Sequence, residues 1–208
     1  MTHVLRNRAR SIATLMVAVV MIVVLLAPSP AQAKKKDILE SYTANVMVMD
    51  SPGQQNSSIL TMNIYEWTTD EDREKIIDAV KEATGDPRSP SMRQVSTSLR
   101  KLGKAGYLFL MGERGWPIRY AREFNTSSGR ELVLALDRPV TFSEVYAGSQ
   151  ARDFDVTIIV LKLDSAGQGE GVASVGTEVA WNEAKGQIEV TNFSSQPIKL
   201  TSVRPSKK

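Results

Sequence analysis

Ser98-Leu99-Arg100-Lys101 sets a hydroxyl and an ammonium one helical turn apart, the spacing of a Ser-Lys dyad in which the Lys helps activate the Ser as a nucleophile. The Lys-Thr-Gly and Ser-Asp-Asn partners of that machinery are missing, so two polar groups on the solvated side of a helix is the preferred reading. The glycine-rich stretch Leu163 to Gly171 invites a phosphate-loop or calcium reading. A dinucleotide loop needs a third Gly where Val172 stands, and a calcium loop needs the short oxygen ligands of Asp or Asn where Ala166 and Gln168 stand. A tight hairpin between two strands remains. Carboxylates are numerous enough for a glycosidase-type pair about 5 to 9 Å apart, but Asp70, Glu71 and Asp72 read as helix-start acids and Asp137 and Asp164 as strand-end residues.

The segment Gly115 to Arg122 is the most site-like. On a strand, Ile118, Tyr120, Arg122 and Phe124 would share a face, so an apolar row would carry one guanidinium. Such an Arg needs a carboxylate or an anionic ligand, and Trp116 and Tyr120 offer rings for stacking on a sugar or a guanidinium. The candidate ligand-binding residues are therefore Trp116, Arg119, Tyr120, Arg122 and Arg138, against the plainer alternative that Arg122 pairs with a nearby acid and Trp116 simply packs. Asp137-Arg138-Pro139 reads first as a turn.

What chemistry remains open depends on where the working chain begins. Arg6, Arg8 and Arg10 precede an apolar run from Ile12 to Leu26, Pro28 and Pro30 follow it, and Ala31-Gln32-Ala33 is a small-x-small cleavage site. These are the parts of a secretory signal peptide. A helix over that run would span about 23 Å, short of the roughly 30 Å hydrocarbon core. The expected organisation is a leader over 1–33, cleaved after Ala33, and one domain over 34–208 in the periplasm or outside the cell. No transmembrane span is expected after cleavage.

Cleavage would remove His3, the only histidine, from a chain that has no cysteine. Ser-His-Asp and Cys-His catalysis, zinc sites built on His or Cys, and thiol redox chemistry are then excluded. No cofactor and no metal are expected. Without the three leader arginines the chain carries 23 basic and 23 acidic residues, which gives no global pull toward nucleic acid. With no disulfide available, stability must come from a core.

The elements that must position these residues read as mostly extended. Strands are predicted over Tyr42–Met49 and Ile59–Trp67, closing a hairpin through Ser51-Pro52-Gly53. Thr68-Thr69-Asp70-Glu71-Asp72 starts a helix with Ile76, Ile77, Val80 and Ala83 on its buried stripe, and a second helix runs from Ser91 to Leu102 with Val95 and Leu99 inward. Strands then follow over Tyr107–Met111, Pro117–Phe124, Glu131–Leu136, Val140–Val145, Phe154–Leu163, Val172–Trp181, Gln187–Phe193 and Ile198–Val203. Phe154–Leu163, nearly continuous in branched aliphatics, is expected at the centre of a sheet. The predicted fold class is α+β: a mostly antiparallel sheet or two-layer β-rich domain, with two helices inserted after the second strand as amphipathic covers.

Several blocks carry a resemblance. Trp67 to Arg73, Gly115-Trp116 with Arg119 to Arg122, Asp137-Arg138-Pro139, Gly186 to Glu189, Gln196-Pro197 and Val203-Arg204 resemble the signature blocks of a family of short exported bacterial proteins of uncharacterised activity. The resemblance covers nearly the whole mature chain, and it implies export and a single domain without implying an activity. The functional expectation is an exported, non-catalytic binding or interaction domain of the periplasm or cell envelope, with an envelope protein or a small ligand as partner and no nucleic acid. The alternatives are an envelope hydrolase using paired carboxylates or Ser98 with Lys101, and a carrier of an apolar ligand.

Overall fold

The computed structural model describes residues 36–51, 54–85, 91–110, 115–140, 156–184, 187–193 and 196–206. The expected leader, the Pro52-Gly53 turn and the strand predicted from Val140 to Val145, apart from Val140 itself, lie outside these residues. The described residues form β1 (Glu40–Ser51), β2 (Gln54–Ile64), α1 (Asp70–Gly85), α2 (Ser91–Lys101), β3 (Gly106–Leu110), β4 (Trp116–Thr126), β5 (Gly129–Leu136), β6 (Thr157–Leu163), β7 (Gly169–Ser174), β8 (Thr177–Asn182), β9 (Gln187–Phe193) and β10 (Ile198–Pro205).

Eight of the strands close into an antiparallel barrel in the order β1-β10-β7-β6-β5-β4-β3-β2, and β8 and β9 form a separate two-stranded sheet. This corrects the expectation of an open sheet or two-layer domain, although the helices do follow the second strand. The closing contact pairs Tyr42 with Pro205 and Val46 with Leu200. Strand alternation shows which side of each strand is buried, not whether the first strand finds the last. The expected central position of β6 goes with it, because a ring of strands has no centre. The predicted strand over Val172–Trp181 is two strands. Gly176 breaks it with φ 58°, a left-handed conformation that favours glycine, and Thr177 then donates its N–H to Val156 O at 2.8 Å.

The inside of the barrel is full. Alternate residues of its strands point inward, among them Tyr42, Val46, Leu60, Met62, Ile64 and Leu108 on one side and Leu132, Leu134, Leu136, Ile159, Leu161 and Leu200 on the other, all at most 2 % exposed. Eight strands give an interior just wide enough for side chains, and small residues adjust the fit. A Cβ at Gly171 would come within 2.6 Å of Leu161 Cδ2. Trp67 and Trp116 pack against this core as partly buried residues.

A second apolar cluster lies outside the barrel wall. Ile76, Val80 and Ala83 of α1 and Val95 and Leu99 of α2 meet Ala135, Val156 and Val179 there. The two helices are thus the amphipathic covers their pattern predicts. α1 starts as expected: Thr69 Oγ1 accepts the Asp72 N–H at 3.2 Å, and Asp70, Glu71 and Asp72 occupy the first turn, where the helix dipole favours acids.

Leu134 has no exposed surface and sits within the filled interior. Leu134→Ala should cost about 2–5 kcal/mol in urea denaturation, whereas Val172→Ala, at a position 42 % exposed, should stay within about 0.5 kcal/mol of the parent.

Candidate functional site

The outer face of the barrel wall is set by a bulge. In β4 the pairing with β5 shifts between Ile118, opposite Leu136, and Tyr120, opposite Ala135, so Arg119 is the extra residue. Ile118 therefore lies in the barrel core while Tyr120 packs on the outer cluster. The single face expected for Ile118, Tyr120, Arg122 and Phe124 is broken between its first two members, because an inserted residue reverses the alternation. Beyond the end of β3, Thr68 takes the place of a neighbouring strand: its N–H donates to Ala121 O at 2.8 Å, and its Oγ1 accepts the Ala121 N–H at 2.9 Å.

Between this wall, the helices and the β8–β9 hairpin lies a cavity of about 470 Å3, within the roughly 300–1,000 Å3 of small-molecule sites. The barrel supplies Val133 and Ala135 from β5, Ile158 and Val160 from β6, and Tyr120 and Phe124 from β4. α1 adds Ile76, Ile77 and Val80, α2 adds Val95 and Leu99, and the hairpin adds Val179, Ile188 and Val190. The polar members are Arg73, Tyr120, Glu131 and Gln187. Burial pushes the Tyr120 hydroxyl above the usual tyrosine range, against the opposing pull of the positive charges of Arg73 and Arg122.

A charged cluster adjoins this cavity. The Asp137 side chain has no exposed surface and follows directly on β5. Arg100 Nε donates to its Oδ2 at 2.8 Å, and Arg119 Nη2 reaches the same oxygen at 3.4 Å. On Oδ1, Arg119 Nε stands at 3.3 Å and Arg138 Nε at 3.6 Å; the Arg119 approach is an ion pair without hydrogen-bond alignment, which leaves both buried atoms without a hydrogen bond. Arg119 is further fixed by donating from Nη1 to Gly103 O at 2.9 Å, and Ser96 donates to the Asp137 carbonyl at 3.0 Å. Desolvation favours the neutral carboxyl, but the Arg100 and Arg119 hydrogen bonds outweigh it and hold Asp137 below its ordinary value.

The five residues singled out from the sequence therefore divide. Arg119 and Arg138 meet at Asp137, and Tyr120 lines the cavity. Arg122 pairs with Asp70 and donates to Thr68 O at 3.1 Å, the plainer of the two arrangements foreseen for it. Trp116 packs against the barrel core. Sequence reasoning missed Arg100, passed over between Ser98 and Lys101, and Asp137, read as a strand-end acid in a turn. The available signal was an acid placed directly after the apolar run Leu132 to Leu136. Of the dyad candidates, Ser98 is half-buried on α2 and Lys101 is exposed.

A wider depression of about 540 Å3 opens at one end of the barrel, around Glu40, Tyr42, Arg130, Asp164 and Gly167. Arg130 lies there between Glu40 at 3.0 Å and Glu123 at 2.7 Å and also meets the Tyr42 hydroxyl, so these two facing carboxylates converge on a guanidinium. Asp164 Oδ1 accepts the N–H groups of Ala166 at 2.8 Å and Gln168 at 2.9 Å, which makes the glycine-rich stretch the β6–β7 hairpin turn. Among the described residues no group of three or more His, Cys, Asp or Glu is placed to hold a metal ion, and no helix is long and apolar enough to cross a membrane. Compared with known protein families, curated proteins and solved structures, the chain matches none.

Asp137→Asn would leave three guanidiniums around a neutral amide, and at pH 7 it should cost about 3–5 kcal/mol in chemical denaturation. Because the folded-state carboxyl titrates below the ordinary 3.8, the advantage of the parent is complete above that value and is lost as pH falls through the lower folded value. The difference between parent and variant should thus be flat near neutrality and shrink below about pH 4.

Proposed function

We propose that this chain is an exported, non-catalytic binding domain of the bacterial periplasm or cell envelope, and that it holds an apolar small molecule in the cavity between the barrel wall, the helices and the β8–β9 hairpin. The observation that carries this reading is the contrast between two spaces. The barrel interior, where a ligand would be sought first, is filled by its own side chains. The space outside the wall is open, lined mainly by aliphatic side chains, with a few polar groups at its edge. An apolar space of about 470 Å3 falls within the size range of small-molecule sites.

Export is supported by the arginine-led apolar segment ending at Ala33 and by the resemblance to short exported bacterial proteins. A non-catalytic role is supported by the loss of the single histidine with that segment and by the absence of cysteine. The buried carboxylate of the charged cluster suits holding better than turnover. Asp137 is kept ionised by its arginines, whereas a general acid or base works best with a pKa near the operating pH.

The neutral fluorophore N-phenyl-1-naphthylamine should brighten and saturate on titration with the purified domain. Val133→Phe, which places a ring in the cavity from the outer face of β5, should weaken that binding at least tenfold with the thermal transition retained. A probe that does not bind the parent, or binds a folded Val133→Phe variant equally well, overturns the reading.

A further inference from the structure

The outward row of β5 runs Glu131, Val133, Ala135, Asp137, and its two ends differ in charge. At one end Glu131 stands opposite Lys162 on β6, one charge of each sign. At the other, Asp137 is met by Arg100, Arg119 and Arg138, three positive charges on one negative. Both Arg100 and Arg138 approach Asp137 through Nε, so that contact does not use the paired terminal nitrogens of either. Their side chains are 59 % and 51 % exposed, while that of Arg119 is 12 % exposed. A buried carboxylate thus fixes two half-exposed guanidiniums whose outer edges suit a carboxylate or phosphate.

The cluster adjoins the cavity on three elements. Leu99, Tyr120 and Ala135 line the cavity, and Arg100, Arg119 and Asp137 lie one or two residues away from them along the chain. The strand rise from Val133 to Asp137 is about 13 Å, so a chain lying along the outer face of β5 ends beside the arginines.

We infer that the ligand is an anionic amphiphile, its apolar chain in the cavity and its carboxylate or phosphate head on Arg100 and Arg138. This rests on the cavity reading above and adds the head group to it. In low salt, where screening is weak, two half-exposed guanidiniums held side by side should give a preference for the charged head over a neutral one of equal chain length.

Isothermal titration calorimetry with dodecanoate, dodecyl phosphate and dodecanol, each kept below micelle formation, tests it, with acetate and inorganic phosphate as chainless anions. The parent should bind dodecanoate or dodecyl phosphate at least tenfold more tightly than dodecanol, and the better of the two identifies the head. Acetate and inorganic phosphate should bind far more weakly. The Arg100→Gln/Arg138→Gln double variant should lose the preference while binding dodecanol as the parent does, which also reports that it is folded. If the double variant unfolds, Arg138→Gln alone, at the longest of the ion pairs, should reduce the preference, and Arg138→Lys should restore part of it. Equal binding of dodecanoate, dodecyl phosphate and dodecanol, a preference unchanged in the folded variants, or phosphate binding as tightly as its dodecyl ester overturns the head-group assignment and leaves the cavity reading standing. Failure of all three chain-bearing ligands to bind defeats both.

Discussion

The pairing of β1 with β10 is the constraint on which the molecule depends. It joins residues near the start of the domain to residues near its end, Tyr42 to Pro205 and Val46 to Leu200, and turns a meander into a ring. Closure satisfies backbone groups that an open sheet would leave at two edges. It requires local irregularity: the register of β1 shifts between Thr43 and Asn45, and that of β10 shifts between Leu200 and Val203, where Ser202 takes φ 51°. Such bulges bend and twist strands enough to close a ring.

Once the ring is closed and filled, any open apolar space has to lie outside it. The inner faces of the strands are committed to one another, and the outer faces of β4, β5 and β6 become the floor on which the helices and the hairpin rest. The bulge at Arg119 matters here as well, because it turns Tyr120 to the outside while Ile118 stays within. The filled core and the open cavity thereby lie on opposite sides of the same strands. The cluster at Asp137 ties α2, β4 and the end of β5 together at the rim of that floor.

Much of this was legible from local pattern. The helix start at Thr69, the inward stripe of α1, most strands and the glycine-rich hairpin follow from period, capping and turn chemistry, all of which act within a few residues. The closure was not, since it joins positions far apart in sequence and leaves no periodic trace. Nor was the break at Gly176, where the run from Val172 to Trp181 keeps the composition of one strand while the chain leaves the barrel. At the site, Arg122 signalled its need for a partner by sitting in an apolar row, and it found Asp70. Arg100 gave no such sign, because a basic residue near the end of a helix is adequately explained by the helix dipole and by solvent. Its role depends on Asp137, which lies on another element and is wholly buried.

Two excursions among the described residues leave from one strand of the ring and return to its immediate neighbour: the helical pair between β2 and β3, and the β8–β9 hairpin between β7 and β10. Neither interrupts the hydrogen-bonded circuit. The walls of the cavity are therefore detachable from the scaffold in a topological sense. Either excursion can be lengthened, shortened or replaced, reshaping the cavity, while the pairing of the ring itself stays as it is.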